Sequence, residues 1–338
     1  MGDLRPELWD MSVNATGHLM VSDVDAVELA AEYGTPVYVV HEKRIRDNFR
    51  RFLDAFESRY PNVEVYYSYK TNCIPGVLEV LHEVGAKAEV ISGYELWLAQ
   101  RLGVPPDSII LNGPNKTAEE LTSAVRSGIR LINIDSLDEI GRVDKICSDL
   151  GLRANIGIRI CPGVTPKGMS VLTATGSRAS HFGVDLKSGE AFEAFRKASA
   201  SRNLNLIGMH CHIGSGAKDP NAYADAARKM LKLAGEVKDN LGKDLQYLDM
   251  GGGFGTPGHH DFGTLETFMH LGMNRMPQAP NPASCPGVET FAELITQAIH
   301  DSCSRYGINE PALILEPGRY VTGDSQALLL EVGTIKNR

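Results

Sequence analysis

A lysine at the end of a predicted strand is the residue whose type and position most favour chemistry in this chain. The aromatic and β-branched run Val63–Lys70 alternates as a strand does, and Pro75-Gly76 soon after it predicts a turn. Ligands of α/β folds gather at the carboxyl ends of the strands. There, a desolvated lysine amine can form a Schiff base with a carbonyl compound. The alternative is an edge-strand lysine whose amine reaches solvent.

Two later strand ends are rich in glycine. His210 and His212 stand two apart in the predicted strand Leu206–Ile213, so we expect both to point to one face, and Gly214-Ser215-Gly216 follows them. The N–H groups and hydroxyl of that turn suit a phosphate, and a flat imidazole could stack on a planar ring. A second glycine run, Gly251-Gly252-Gly253, predicts an anion cradle. It is not a Rossmann fingerprint, because no helix opens directly after it.

Acidic residues stand on two further strands. Glu316 is followed by Pro317-Gly318-Arg319, which places an acid, a turn and a guanidinium in succession. Arg319 suits a phosphate or carboxylate, and Glu316 suits a protonated ring nitrogen. Glu89 lies within the apolar strand Ala88–Ser92 and needs a partner if it faces inward. The alternative for Glu316 and Arg319 is an ordinary surface ion pair.

The elements that must position these groups alternate along the chain. Eight predicted strands are separated by segments that mostly show helical periodicity: Val63–Lys70, Ala88–Ser92, Ser108–Asn112, Leu131–Ile134, Ala154–Ile160, Leu206–Ile213, Tyr247–Gly251 and Leu313–Glu316. Such alternation predicts an α/β fold with a parallel sheet, and eight units over roughly 250 residues match a closed (β/α)₈ TIM-like barrel. A doubly wound sheet is the structural alternative. The long loops Cys161–Ser180 and Gly255–Gly287 both follow strand ends, where barrel enzymes build their sites.

Composition argues against several classes of partner. The 338 residues are 43% hydrophobic and 22% charged, with a net charge of −8 and no basic cluster, so no nucleic-acid partner is expected. No apolar stretch approaches about 18 residues, so no membrane partner is expected. The six cysteines form no C-x-x-C pair, and no metal ligands stand at a known spacing. Scattered cysteines without an apolar leader predict a cytoplasmic protein.

Five segments together resemble the pyridoxal-phosphate-dependent decarboxylases of the alanine-racemase fold, also called fold type III. They are Tyr-Ser-Tyr-Lys-Thr-Asn (67–72), Glu-Val-Ile-Ser-Gly-Tyr-Glu-Leu (89–96), His-Cys-His-Ile-Gly-Ser-Gly (210–216), Asp-Met-Gly-Gly-Gly-Phe-Gly (249–255) and Glu-Pro-Gly-Arg-Tyr (316–320). The resemblance covers residues 35 to 331. Within the family the chain is most similar to the diaminopimelate decarboxylases, although Cys161 and His181 stand where that branch more often has Asn and Lys.

The resemblance implies a pyridoxal 5'-phosphate site at named positions. Lys70 would be the Schiff-base lysine, and His212 would stack on the pyridine ring as the second catalytic residue. Glu316 would pair with the pyridine nitrogen, and Glu89 would tune the site near Lys70 and His212. The phosphate would be bound by Ser215, Gly252, Gly253, Gly318 and Arg319. The substrate would be contacted by Arg319 and Tyr320.

The resemblance also implies an activity and a domain organisation. The activity is decarboxylation of an amino acid, with meso-diaminopimelate converted to L-lysine by a homodimer, as in lysine biosynthesis. The alternatives are another basic or carrier-linked amino acid, a racemase of the same fold, and a non-catalytic pyridoxal-phosphate-binding barrel. Residues 41–320 would form the barrel, and residues 1–40 an N-terminal segment that gives a strand to a β-domain. Residues 321–338 would start a truncated C-terminal β-domain, so Leu328–Thr334 would be a strand with no sheet to join.

Overall fold

The computed structural model describes residues 5–258, 264–273 and 280–336. A small antiparallel sheet and a helix come first: β1 (Met11–Val13), β2 (Leu19–Val21), β3 (Val24–Asp25) and α1 (Ala26–Tyr33). Asp25 caps α1, because its carboxylate accepts a hydrogen bond from the Val27 N–H at 2.8 Å. β4 (Val37–Val40) and α2 (Glu42–Glu57) then lead into the barrel. Among the described residues, no helix is long and apolar enough to cross a membrane.

Eight parallel strands form a closed barrel, which confirms the predicted fold class. The strands that follow β4 are β5 (Val63–Ser68), β6 (Lys87–Val90), β7 (Ile109–Leu111), β8 (Leu131–Ile134), β9 (Ala154–Cys161), β10 (Val184–Asp185), β11 (Leu204–His210), β12 (Tyr247–Asp249), β13 (Ala312–Leu315) and β14 (Gln326–Leu329). The ring runs β5-β6-β7-β8-β9-β11-β12-β13, and β13 pairs with β5 to close it. β10 only extends the edge of β9.

Helices alternate with these strands along the chain. They are α3 (Pro75–Glu83), α4 (Gly93–Arg101), α5 (Ala118–Ser127), α6 (Leu137–Leu150), α7 (Glu190–Ala200), α8 (Pro220–Leu241), α9 (Thr264–Met273), α10 (Val288–Tyr306) and the single turn α11 (Arg319–Thr322). Short 3₁₀ turns cover Pro6–Trp9, Tyr69–Thr71, Pro106–Ser108 and Pro282–Ser284. Local sequence sets where the α-helices begin and end. Thr117 and Glu120 form a capping box on α5, and Gly128 ends that helix in the left-handed conformation.

The interior of the barrel has two layers of opposite character. The lower layer is apolar and consists of Tyr66, Ile110, Leu131, Ile207 and Ile314, with Tyr247 packed against them. Residues two apart in a strand share a face, so the next inward position lies one layer nearer the carboxyl ends. This upper layer is buried and polar: Ser68, Asn112, Asn133, Asp249 and Glu316, together with Glu89 and His210. The chemistry of the barrel is therefore concentrated at one end of its interior.

Most predicted strands end one to three residues from the observed ends, and two of these differences bear on the site. β5 ends at Ser68, and Lys70 lies in the 3₁₀ turn that follows, because pairing with β6 stops at Ser68. β11 ends at His210, two residues before His212. The alternation that predicted both histidines on one face therefore does not apply, since His212 lies outside the strand.

The end of the described chain also differs. β14 pairs antiparallel with β4, with Leu329 opposite Val37. The expectation of a strand over Leu328–Thr334 with no sheet to join is therefore wrong in both respects. The strand ends at Leu329, and it pairs with the edge of the strand before α2. The boundaries at residues 40 and 320 remain a prediction, and this two-stranded sheet brings together residues from both sides of the barrel.

Candidate active site

Lys70 lies at the mouth of the barrel, directly after β5. Its Nζ donates hydrogen bonds to Glu89 Oε2 and to Ser68 Oγ, both at 2.6 Å, and Ser68 Oγ donates to Glu89 in turn. The Glu89 side chain is fully buried, whereas the Lys70 side chain is 43% exposed. The amine is therefore anchored on a buried acid while it stays accessible to an incoming molecule.

Two carboxylates raise the pKa of Lys70. Desolvation lowers this pKa, but the charge of Glu89 and then that of Glu316 bring it above its ordinary value. The amine is thus a cation at neutral pH, and it must release a proton before it can attack a carbonyl. Glu89 Oε2, in direct contact with Nζ, is placed to receive that proton.

Glu316, directly after β13, and Asp249 of β12 form a pair of carboxyl groups whose pKa values are shifted in opposite directions. Glu316 Oε1 accepts a hydrogen bond from Asn112 Nδ2 at 2.6 Å, and its Oε2 lies 3.6 Å from His210 Nε2. Burial raises the pKa of Glu316, but His210 and Lys70 hold it well below its usual range. Burial and the charge of Glu316 raise the pKa of Asp249 well above its ordinary value. One carboxyl group of the pair is therefore ionised and the other is protonated.

His212 carries a neutral imidazole. Its Nδ1 accepts a hydrogen bond from the Gly252 N–H at 3.2 Å, and its carbonyl accepts one from Thr175 Oγ1 at 2.9 Å. Desolvation lowers the pKa of His212 to about 3, and the charges of Lys70 and Arg159 act in the same direction. A flat, uncharged ring held by the main chain suits stacking on another planar ring.

The glycine-rich segments meet beside His212 and Glu316. A Cβ added to Gly252 would collide with the carbonyl oxygen of Glu316, and one added to Gly253 would collide with that of Gly214. Gly253 also has a φ of +80°, which disfavours other residues. The ends of three neighbouring strands can approach this closely only because these positions have no side chain.

The remaining loops join the same group. A Cβ on Gly318 would collide with Thr71 Oγ1 in the 3₁₀ turn Tyr69–Thr71, which contains Lys70. A Cβ on Gly216 would lie 3.4 Å from Arg319 Nη1. Ser215 and Arg319 are exposed at this rim. Local contacts thus link the segments that carry these predicted site residues: Lys70, Glu89, His212, Ser215, Gly252, Gly253, Glu316, Gly318 and Arg319. The functional role of each remains a prediction.

Tyr320 has a different environment. Its ring lies 5.2 Å from the ring of Phe52 on α2, centroid to centroid, and is half-buried against the core. Burial raises the pKa of its hydroxyl to about 12. These contacts place part of the residue in the packing between α11 and α2. The predicted contact of Tyr320 with a substrate is not tested by them.

The sequence analysis did not identify the two amides that connect the acids. Asn112 Nδ2 donates to Glu89 Oε1 at 2.9 Å as well as to Glu316, and Asn112 Oδ1 accepts from Asn133 Nδ2 at 2.8 Å. Asn133 Nδ2 also lies 3.3 Å from Asp249 Oδ2. A signal existed, because each asparagine stands two positions after an apolar residue of a predicted strand. That spacing alone does not tell which face enters the barrel.

Three groups of the upper layer could offer metal ligands. The ligand atoms of His210, Asp249 and Glu316 lie within 4.8 Å of one another, and all three residues are buried. Sequence spacing did not reveal this group, because the three residues come from different strands. Asp249 Oδ1 already accepts the Gly251 N–H at 2.9 Å, and Glu316 is hydrogen bonded to Asn112. These contacts favour a network of hydrogen bonds around an acid pair.

The donor set fits pyridoxal phosphate. An accessible amine, Lys70, suits a carbonyl carbon, and an ionised buried carboxylate, Glu316, suits a protonated ring nitrogen. The neutral ring of His212 suits an aromatic face. The rim at Ser215 and Arg319 supplies a hydroxyl and a guanidinium, which suit a phosphate. Each part of the cofactor therefore has a chemically matched group in this structure.

Comparison with known proteins agrees with this fit. Residues 42–323 match the family model described as pyridoxal-dependent decarboxylase, pyridoxal binding domain. The chain is 37% identical over 327 residues to the diaminopimelate decarboxylase of Methanothermobacter thermautotrophicus, spanning 97% of this chain and 70% of that protein. It is 33% identical over 323 residues to the diaminopimelate decarboxylase of Bacillus subtilis, spanning 96% of this chain and 69% of that protein.

Solved structures show the same relationship. The crystal structure of diaminopimelate decarboxylase from M. jannaschii superposes with a TM-score of 0.84 at 31% identity, covering 97% of this chain and 70% of that one. The same enzyme has been solved in complex with L-lysine, with a TM-score of 0.83. The fold of this chain is thus shared with these structures.

Proposed function

This chain belongs to the pyridoxal-dependent decarboxylases, and on that premise we propose that the protein removes a carboxylate from meso-diaminopimelate to give L-lysine. The observation that carries the decarboxylase chemistry is the position of two buried acids, Glu89 and Glu316, in the upper layer of the barrel. Glu89 contacts the Lys70 amine, and Glu316 is kept ionised at the floor of the site.

The predicted cofactor-binding residues would hold different parts of pyridoxal phosphate, and Arg319 and Tyr320 would contact the substrate. Lys70 would hold the carbonyl carbon, Glu316 the ring nitrogen, and His212 the ring face. The phosphate would be held at the rim by Ser215, Arg319 and the main-chain N–H groups of the glycine segments. Bound pyridoxal phosphate would supply a protonated ring that takes up the electron pair left when the carboxylate departs as carbon dioxide.

The amine of Lys70 would lose and regain a proton during the proposed reaction. It is a cation at neutral pH, because Glu89 and Glu316 raise its pKa. Glu89 Oε2, at 2.6 Å from Nζ, would take the proton when the amine reacts and return it afterwards. Ser68 Oγ, hydrogen bonded to both groups, would keep the amine aligned with the acid.

Glu316 and His212 would each keep one protonation state throughout the reaction. The ionised Glu316 would hold a proton on the ring nitrogen, which is the charge arrangement that stabilises a developing carbanion. His212 would stay uncharged, since its pKa is lowered to about 3. A neutral stacking ring does not compete with Glu316 for the electrostatic control of the cofactor.

The choice of meso-diaminopimelate rests on the relatives. Eight curated diaminopimelate decarboxylases match this chain at 31% to 37% identity. Another basic or carrier-linked amino acid, a racemase and a non-catalytic barrel are the outcomes against which we test the choice. We also propose a homodimer in the cytoplasm, with a barrel at residues 41–320 flanked by segments 1–40 and 321–338 that serve a β-domain.

The test is carbon dioxide release by the purified protein loaded with pyridoxal phosphate. We expect release from meso-diaminopimelate with an equal amount of L-lysine, and far less from L-lysine, L-ornithine or L-arginine. Preference for one of those amino acids would overturn the substrate assignment. Proton exchange at the α-carbon without carbon dioxide would indicate a racemase. A loaded protein inert towards the whole panel would indicate a non-catalytic barrel.

A further inference from the structure

Asn112 occupies a central position among the charged groups of the site. Its amide nitrogen has two protons, and it donates one to Glu89 Oε1 at 2.9 Å and the other to Glu316 Oε1 at 2.6 Å. The residue is 4% exposed, so water is a poor substitute for these bonds. One side chain thus contacts both carboxylates of the proposed mechanism.

The orientation of this amide is fixed by its other end. Asn112 Oδ1 accepts a hydrogen bond from Asn133 Nδ2 at 2.8 Å, and Asn133 in turn faces Asp249 Oδ2 at 3.3 Å. A flipped amide would direct its oxygen at two carboxylates and its nitrogen at another nitrogen. The upper layer therefore permits one orientation, with both protons directed at the acids.

We propose that Asn112 is a positioning residue whose single amide nitrogen holds two acids in place. One is Glu89, which contacts the Lys70 amine, and the other is Glu316, which is assigned to the ring nitrogen. The inference rests on the proposed function, because that function assigns Glu89 to Lys70 and Glu316 to the ring. Asn112 acts through these two acids. It sets their spacing and stabilises two nearby negative charges that would otherwise repel each other.

A neighbouring residue of the same strand allows this positioning role to be distinguished from simple filling of the barrel interior. Ile110 lies two residues earlier on β7, in the apolar lower layer, and is equally buried. A residue that only fills the lumen affects every variant of the protein alike. A residue that acts through Glu89 and Glu316 loses its effect when those acids are already changed.

The experiment measures the dissociation constant of pyridoxal phosphate for Asn112→Leu in three backgrounds: native, Glu89→Gln and Glu316→Gln. Leucine keeps the approximate shape of asparagine and removes the two hydrogen bonds donated to the acids, together with the one accepted from Asn133. We expect the substitution to weaken cofactor binding about 10- to 100-fold in the native background, as for other groups that orient ligating residues. In each glutamine background we expect a loss at least about threefold smaller, because one of the two acids is already changed.

Ile110→Ala is the matched control, and we expect its effect on the dissociation constant to be equal in all three backgrounds. Asn112→Ser, which has one hydroxyl proton in place of two amide protons, repeats the test if leucine prevents folding. Equal losses for Asn112→Leu or Asn112→Ser in the three backgrounds would overturn the inference, and so would no loss at all. A native protein that does not bind pyridoxal phosphate would overturn the proposed function as well. Background-dependent binding without carbon dioxide release would overturn the proposed function alone.

Discussion

The two layers of the barrel interior are built by the same strands and differ in almost every other respect. Tyr66, Ile110 and Ile314 close the lower end with apolar side chains. Two positions further on, the same strands present Ser68, Asn112 and Glu316. The lower layer is held by apolar packing, and its Tyr66 hydroxyl reaches out to donate a hydrogen bond to Glu64. The upper layer is polar, and its buried groups are stabilised by hydrogen bonds to one another.

The difference shows how a barrel can separate stability from chemistry within one interior. Removing a group from the lower layer leaves a cavity, and the cost appears in the free energy of unfolding. Removing a group from the upper layer disturbs charges and hydrogen bonds around Lys70, and the cost appears in cofactor binding and turnover. The substitutions below test that division.

The largest effect is expected at Lys70. Lys70→Ala removes the only amine in contact with Glu89 among the described residues, so the visible absorption band of the bound cofactor should disappear. Carbon dioxide release should fall by about 10⁴-fold or more. Lys87→Ala is the matched control, since Lys87 of β6 pairs with Glu64 of β5 away from Lys70. The Lys87→Ala protein should keep the absorption band. A band that persists in Lys70→Ala would contradict the assignment.

Glu316 should give the next largest effect. Glu316→Gln keeps the shape of the side chain but removes the charge opposite the ring nitrogen, so kcat should fall about 10²- to 10³-fold. Asp249→Asn is the comparison within the same layer. Its loss should be clearly smaller, because the raised pKa of Asp249 already leaves that group uncharged. Equal losses in the two variants would show that the acid pair is not divided as described.

Ile314, two residues before Glu316 on the same strand, should show the opposite pattern. Ile314→Ala leaves a cavity in the lower layer and should lower the free energy of unfolding by about 3 kcal/mol, measured by urea denaturation. The dissociation constant of pyridoxal phosphate should change less than about threefold, in contrast to Glu316→Gln. If Ile314→Ala reduced cofactor binding as strongly as Glu316→Gln, the two layers would not be functionally separate.

The last prediction concerns the dependence of stability on pH. The pKa of His212 is about 3 in the folded protein and about 6.5 in an unfolded chain, so the unfolded chain binds the proton first as the pH falls. The contribution of His212 to stability is therefore complete above about pH 6.5 and is lost towards pH 3, by about 1.4 kcal/mol per pH unit. His212→Phe should remove this dependence from urea unfolding curves of the cofactor-free protein between pH 4 and 7.

His300 provides a control of opposite sign. Its hydrogen bond with Glu310 raises its pKa, so its contribution to stability is present at low pH and fades as the pH rises through the folded pKa. The pair is largely exposed, and the effect should be weak. A His212→Phe protein whose stability follows the same pH profile as the native protein would contradict the assignment of a neutral imidazole to His212.

The sequence predicted the parts of this architecture that depend on order along the chain. The alternation of strands and helices predicted the barrel, and strand-end position singled out Lys70 and Glu316. The predicted strands ran past the observed ends of β5 and β11 by two and three residues, because hydrogen bonding to neighbouring strands decides where a strand ends. Period-two alternation was then misapplied to His212, which lies beyond the last paired residue of β11.

The upper layer was harder to predict for a different reason. Strands of a parallel barrel are buried on both faces, so an apolar neighbour does not reveal which side of the strand enters the lumen. Asn112 and Asn133 looked like ordinary polar residues at or near strand ends. Their partners lie on other strands, and only the register of the closed ring brings an amide of β8 against one that follows β7. The position of Asp249 beside Glu316 depends on the same closure.

The pairing of β4 with β14 has a consequence for how the molecule assembles. Val37 and Leu329 are neighbours in space but are separated by nearly the whole described chain, including all eight barrel strands. Bringing such distant segments together is costly in chain entropy until the intervening units are in place. The amide protons of Val37–Val40 should therefore gain protection from solvent exchange late in refolding, which makes this two-stranded sheet a reporter of when the ring has closed.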